Sequence, residues 1–183
     1  MTFDYPGYDL KFIQREPCND TTAHEYTLVF KFFSTATKLH YIVRADYHTG
    51  DVFAIKFYCK QHRRSERKYN IITNKGDLGN ILVTCAKVIP LLLKCYPLAS
   101  IGFSGARTID RQKRAEGYHN NQRYKIYKQL IPMKIGRVTF EHVAYDSISS
   151  YLLINRNNPD ILQKEKELKE MFIATYTDLF EMI

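Results

Sequence analysis

Positive charge gathers in two stretches of this chain, and those are the stretches where binding chemistry could reside. From Lys56 to Lys75 there are seven basic residues, Lys56, Lys60, Arg63, Arg64, Arg67, Lys68 and Lys75, against one acid, Glu66. From Arg107 to Arg137 there are nine, Arg107, Arg111, Lys113, Arg114, Arg123, Lys125, Lys128, Lys134 and Arg137, against Asp110 and Glu116. Arginine offers a planar fork of donors that fits a phosphate, and lysine adds a point charge. The residues expected to bind nucleic acid or another anion are Arg63 and Arg64 in the first stretch. In the second they are Arg107, Arg111, Lys113, Arg114, Arg123, Tyr124, Lys125 and Lys128. Tyr124 is expected to expose its ring for stacking on a base. The competing reading of both stretches is solvated surface charge.

The second stretch has the more suggestive setting. Ser100-Ile101-Gly102-Phe103-Ser104-Gly105 reads as a strand end, Ala106 to Asn120 as a polar loop, and Asn121 as the cap of a helix. Small residues permit close backbone approach to a ligand, and a helix start presents unpaired amides to an anion. Arg107, Arg123 and Lys128 are placed to surround such an anion. Neither G-x-x-x-x-G-K-[ST] nor G-x-G-x-x-G occurs, so no known phosphate loop is implied. Gly102-Phe103-Ser104-Gly105, a variable loop, then Asn121-Gln122-Arg123-Tyr124 and Ile126-Tyr127 resembles a pattern in uncharacterised small bacterial proteins, notably of Bacteroidetes genomes. Those proteins have a sheet-forming first half and an Arg-x-x-x-Tyr helix. The resemblance covers about half the chain and implies no activity, so no residue role follows from it.

Catalysis is an open question at this level. The six histidines, His24, His40, His48, His62, His119 and His142, form no H-x-x-x-H or similar metal pair. No cofactor motif is visible. His119, Tyr127 and Arg123 supply the residue types of a metal-independent ribonuclease, toxin-like in character: a base, an acid and a cation. Ser104 lacks the G-x-S-x-G setting of a nucleophile. A third reading is a protein-interaction subunit whose acidic C-terminal helix, ending Leu179-Phe180-Glu181-Met182-Ile183, docks a partner chain. The leading expectation is a non-enzymatic binding domain that engages RNA, DNA or another phosphate-rich partner through a basic face.

Composition frames these readings. The chain has 183 residues, 45% of them hydrophobic, and a net charge of +8. That is enough for one domain over residues 1–183 with a packed core, and the charge favours an anionic partner. Cys18, Cys59, Cys85 and Cys95 form no C-x-x-C pair, which points to reduced thiols and away from a zinc ribbon. Met1 to Asp20 shows no export signal, so a cytoplasmic location is expected. Ile81 to Phe103 is apolar, but Lys87, Lys94, Pro90 and Pro97 interrupt it at a cost in lipid, so a buried helix and core strand are expected instead of a membrane span.

The elements expected to position the basic residues follow from periodicity. Period-two alternation predicts strands over Tyr8 to Glu16, Tyr26 to Phe33, Leu39 to Tyr47 and Val52 to Cys59, an antiparallel meander with a turn at His48-Thr49-Gly50-Asp51. Tyr69 to Thr73 is expected as an edge strand. Helices are expected after Asp77, kinked or shortened by Pro90, and from Asn121 to Gly136. Strands follow over Ser100 to Ser104, Val138 to Tyr145 and Tyr151 to Asn155. Asn158-Pro159-Asp160 starts a helix with Ile161, Leu168, Phe172, Tyr176, Leu179 and Ile183 in its stripe. The fold class is α+β: a mainly antiparallel sheet with an N-terminal meander, two internal helices on one face and a long C-terminal helix.

Overall fold

The structure is a computed structural model that describes residues 4–19, 22–71, 73, 75–109, 112 and 114–175. It is an α+β arrangement. The strands are β1 (Lys11–Pro17), β2 (His24–Ser34), β3 (Leu39–His48), β4 (Val52–Cys59), β5 (Ser100–Ser104), β6 (Phe140–Tyr145) and β7 (Ser150–Asn155). The helices are α1 (Leu78–Ala86), α2 (Val88–Cys95), α3 (Gln122–Lys134) and α4 (Ile161–Thr175). The strands form one seven-stranded sheet in the order β1-β2-β3-β4-β5-β7-β6. All neighbours are antiparallel except β4 and β5, which run parallel.

Alternation along the strands sorts the side chains into two sets. Phe30, Val43 and Phe57 stand opposite one another across β2, β3 and β4, as do Ile55 and Phe103 across β4 and β5. These join Ile81, Leu82, Ile89 and Leu92 of α1 and α2, and Tyr127, Leu130 and Ile131 of α3, in the main core. Val52, Leu152 and Ile154 come from the other alternation set and pack with Leu168 and Phe172 of α4 in a second, smaller cluster. Fully burying each large apolar side chain contributes about 1.5–3 kcal/mol, which explains why the apolar segment is drawn into this core. By length and composition Leu78–Cys95 could cross a bilayer, but half of it is buried inside the protein.

Several local expectations need correction. Tyr69 to Thr73 is not a strand among the described residues; only Ile71 makes an isolated bridge, to Ile109. The reason is that the carbonyls of Tyr69 and Ile71 accept from the Arg123 side chain instead of from a neighbouring strand. Asp77 does not cap α1 with its side chain. Its carboxylate is occupied by Tyr8, Ser34 and Asn80. The expected interruption at Pro90 does occur: α1 ends early at Ala86 and a new helix starts at Val88, with Pro90 in its first turn, where a missing N–H costs nothing. Of the C-terminal stripe, Leu168 is buried, whereas Tyr176, Leu179 and Ile183 lie outside the described residues. Cys59, Cys85 and Cys95 are free thiols, the first two buried and the third exposed.

Candidate anion-binding cleft

The parallel junction creates an opening. Pairing between β4 and β5 ends at Ile55 and Phe103, after which β5 stops at Ser104 while β4 continues to Cys59. A crevice beside the carboxyl ends of neighbouring parallel strands is a common ligand position. Here it is a cleft of about 290 Å³. Lys56, Asn70, Ser104, Arg107 and Arg123 line it, with Tyr69, Tyr118 and Phe172 among its aromatic walls. Among the described residues no carboxylate lines it.

Arg123 dominates the electrostatics. Helical spacing from Tyr127 and Leu130 turns it inward, and only 6% of it is exposed. One Nη donates to the Tyr69 carbonyl at 2.5 Å and the other to the Ile71 carbonyl at 3.3 Å. The guanidinium carbon lies 4.9 Å from the centre of the Phe57 ring. Among the described residues no carboxylate comes within ion-pair distance of it. Burial pushes its pKa below the usual arginine value, and attraction to Tyr127, Cys85 and Glu116 only partly offsets this. Arginine stays protonated in proteins, so a buried positive charge with no ion-paired acid among the described residues sits at the wall of the cleft.

Arg107 supplies a second cation. Its Nε donates to the Glu116 carbonyl at 2.6 Å, and its guanidinium stacks 3.9 Å from the centre of the Tyr118 ring. No hydrogen bond among the described residues engages its two Nη groups. The Ser104 and Thr175 hydroxyls are buried on the cleft wall without a hydrogen-bond partner among the described residues. Buried polar groups normally find partners, so two hydroxyls without one among the described residues stand out on the lining of this cleft. Lys56 is less available, because Asp46 holds it in an ion pair. Asp46 is almost fully buried; burial alone would raise its pKa, but attraction to Lys56 and hydrogen bonds from Lys56 and Thr27 bring it below the carboxylate norm.

The start of α3 departs from expectation. Two of its first amides are already used: Gln122 N donates to Glu116 at 2.6 Å, and Tyr124 N to the Asn121 cap at 3.0 Å. The glycines leave no room for a ligand. A Cβ on Gly102 would lie 2.2 Å from the Phe172 ring, and one on Gly105 would lie 2.5 Å from Asn121 Oδ1. Both glycines are used for close approach by the protein's own helices. Tyr124 is not an exposed stacking ring. It is fully buried, and its hydroxyl donates to Asp146 at 2.5 Å, because its position on α3 turns it into the core beside Tyr127.

The remaining expected residues fall elsewhere. Arg63 and Arg64 are exposed and line a shallow depression with Lys38, His40 and Lys60 that shares no residue with the cleft. Lys125 is exposed on α3. Lys128 is paired with Asp146 at 2.8 Å and does not line the cleft. Arg114 is exposed in the loop, and Arg111 and Lys113 lie outside the described residues. The trio His119, Tyr127 and Arg123 is not assembled: Tyr127 is 2% exposed, burial drives its phenol pKa upward, and His119 is an exposed loop residue outside the cleft lining. Among the described residues no three metal-ligating side chains cluster. Asn70, Tyr118 and Thr175 were not legible as site residues, since each reaches the cleft only through tertiary placement of a loop or helix end. Comparison with family models, with curated proteins and with solved structures finds no match to this chain.

Proposed function

We propose that this domain binds a phosphate-bearing partner, such as a nucleic acid or a phosphorylated small molecule, and that it does so in the cleft beside β4 and β5. The observation that carries this reading is the buried Arg123, which lines the cleft and has no carboxylate within ion-pair distance among the described residues. An unpaired buried charge costs several kcal/mol, and an anionic ligand offsets that cost. Arg107 and the Ser104 hydroxyl supply further donors at the same place. Arg63, Arg64, Lys125 and Arg114 are exposed cations that add long-range attraction to a polymeric partner.

The test is equilibrium binding of inorganic pyrophosphate, nucleotides and single-stranded nucleic acid at low and moderate salt. Binding that weakens as salt rises is expected, with affinity for pyrophosphate and nucleotides lost in Arg107→Glu but kept in Arg63→Glu. Affinity for none of these probes at low salt would overturn the reading.

A further inference from the structure

We infer that the cleft takes one nucleotide bearing a terminal monophosphate, with the phosphate at the arginine end and the base against the aromatic and aliphatic walls. The inference rests on the phosphate-binding reading above and narrows it to a ligand class. Three observations carry it.

Size comes first. A volume of about 290 Å³ sits at the floor of the small-molecule range, which starts near roughly 300 Å³. A duplex does not enter such a space, and a single nucleotide is on its scale. Charge comes second. Lys56 is neutralised by Asp46, which leaves Arg107 and Arg123 as the two cleft cations without a carboxylate within ion-pair distance among the described residues. A phosphomonoester carries about −1.5 to −2 at neutral pH, which two guanidinium groups balance. A phosphodiester, with a single negative charge, leaves one cation over.

The walls come third. Ala54, Leu152 and Phe172 present carbon to the cleft, Tyr69 adds a ring, and Tyr118 extends a ring already stacked on the Arg107 guanidinium. Inorganic phosphate uses none of that surface, whereas a planar base covers it and stacks. Asn70 donates its amide to the Arg107 carbonyl at 2.9 Å, which leaves its side-chain oxygen to accept from an exocyclic amine of the base.

The experiment is a calorimetric titration of the whole chain at low salt with the four nucleoside 5′-monophosphates, the parent nucleosides, inorganic phosphate, and a short single strand with and without a 5′-phosphate. At least one monophosphate is expected to bind ten-fold or more tightly than both inorganic phosphate and its nucleoside. Arg107→Gln, a half-exposed position whose loss leaves the core intact, is expected to weaken that binding at least ten-fold, with Ser104→Ala also weakening it and Arg63→Gln leaving it unchanged. If the 5′-phosphorylated strand binds as tightly as the free nucleotide, the ligand is a strand terminus; if only the nucleotide binds, it is a free metabolite. Either result supports the inference. Monophosphates no tighter than inorganic phosphate, or strands that bind equally with and without the terminal phosphate, would refute it while leaving the broader phosphate-binding reading intact. No binding of any probe would remove both.

Discussion

Glu116 holds the basic loop against the start of α3. Its carboxylate accepts from Thr108 N at 3.3 Å, from the Thr108 hydroxyl at 2.5 Å and from Gln122 N at 2.6 Å. Substituting Glu116→Ala removes all three and is expected to lower unfolding free energy by about 1–3 kcal/mol. Urea denaturation measures this, and an unchanged midpoint would contradict it. Arg123 makes the opposite case. In Arg123→Met the Tyr69 and Ile71 carbonyls lose their donor, at about 1–3 kcal/mol each, but a buried cation without an acid also disappears, a gain of several kcal/mol. The melting temperature is therefore expected to hold or rise while phosphate binding is lost. A sharp fall in melting temperature would show that Arg123 is structural. His48 gives a pH signature. Burial lowers its pKa from the ordinary histidine value to about 4, against a pull upward from Asp46. A group whose folded pKa is depressed binds its proton more readily when unfolded. Stability is therefore fully present above the unfolded value near 6.5 and declines as pH falls towards 4, by at most roughly 1.4 kcal/mol per pH unit. The slope of denaturant stability between those pH values is expected to flatten in His48→Asn.

At the scale of elements, the seat of α4 depends on Gly102. Phe172 fills the space where a side chain at that position would stand. Gly102→Ala is expected to push the ring aside and speed amide exchange in α4, while α1 and α3 keep their protection; uniform acceleration across all helices would argue for global unfolding instead. Much of the element plan was legible in the chain. Alternating residues in β2, β3 and β4 gave the meander because one face of each is covered by the main core. The inward turn of Arg123 was also legible, since it shares helical spacing with Tyr127 and Leu130. The parallel pairing of β4 with β5 was not, because it is set by how the intervening helices return the chain and not by any local pattern. Tyr124 was misread for a related reason. A buried tyrosine and an exposed one look alike in sequence, and the hydroxyl here finds Asp146, 22 residues away.

At the scale of the whole molecule, two groups of basic residues stand apart from each other. One is in the cleft, with Arg107 and Arg123. The other is in the depression around Arg63 and Arg64 at the end of β4. Their neighbours differ: Lys56 and Lys128 are held by Asp46 and Asp146, whereas Arg63 and Arg64 have no ion pair among the described residues. Replacing Arg63 and Arg64 together with glutamate is expected to leave mononucleotide affinity within about two-fold. Affinity for a long single strand should drop, and the salt slope should shrink by roughly two counterions. Equal losses for both ligands would show that the two places act as one surface.

The cleft lies at the seam between the meander and the C-terminal hairpin. Only four residue pairs, from Val52–Ser100 to Ile55–Phe103, stitch β4 to β5. A ligand that touches Ala54 of β4 and Ser104 of β5 at once acts as a clasp across that join. Occupancy would then slow the breathing of the seam ahead of any other part of the sheet, and the amides of Ser100 to Phe103 are where the slowing would register first.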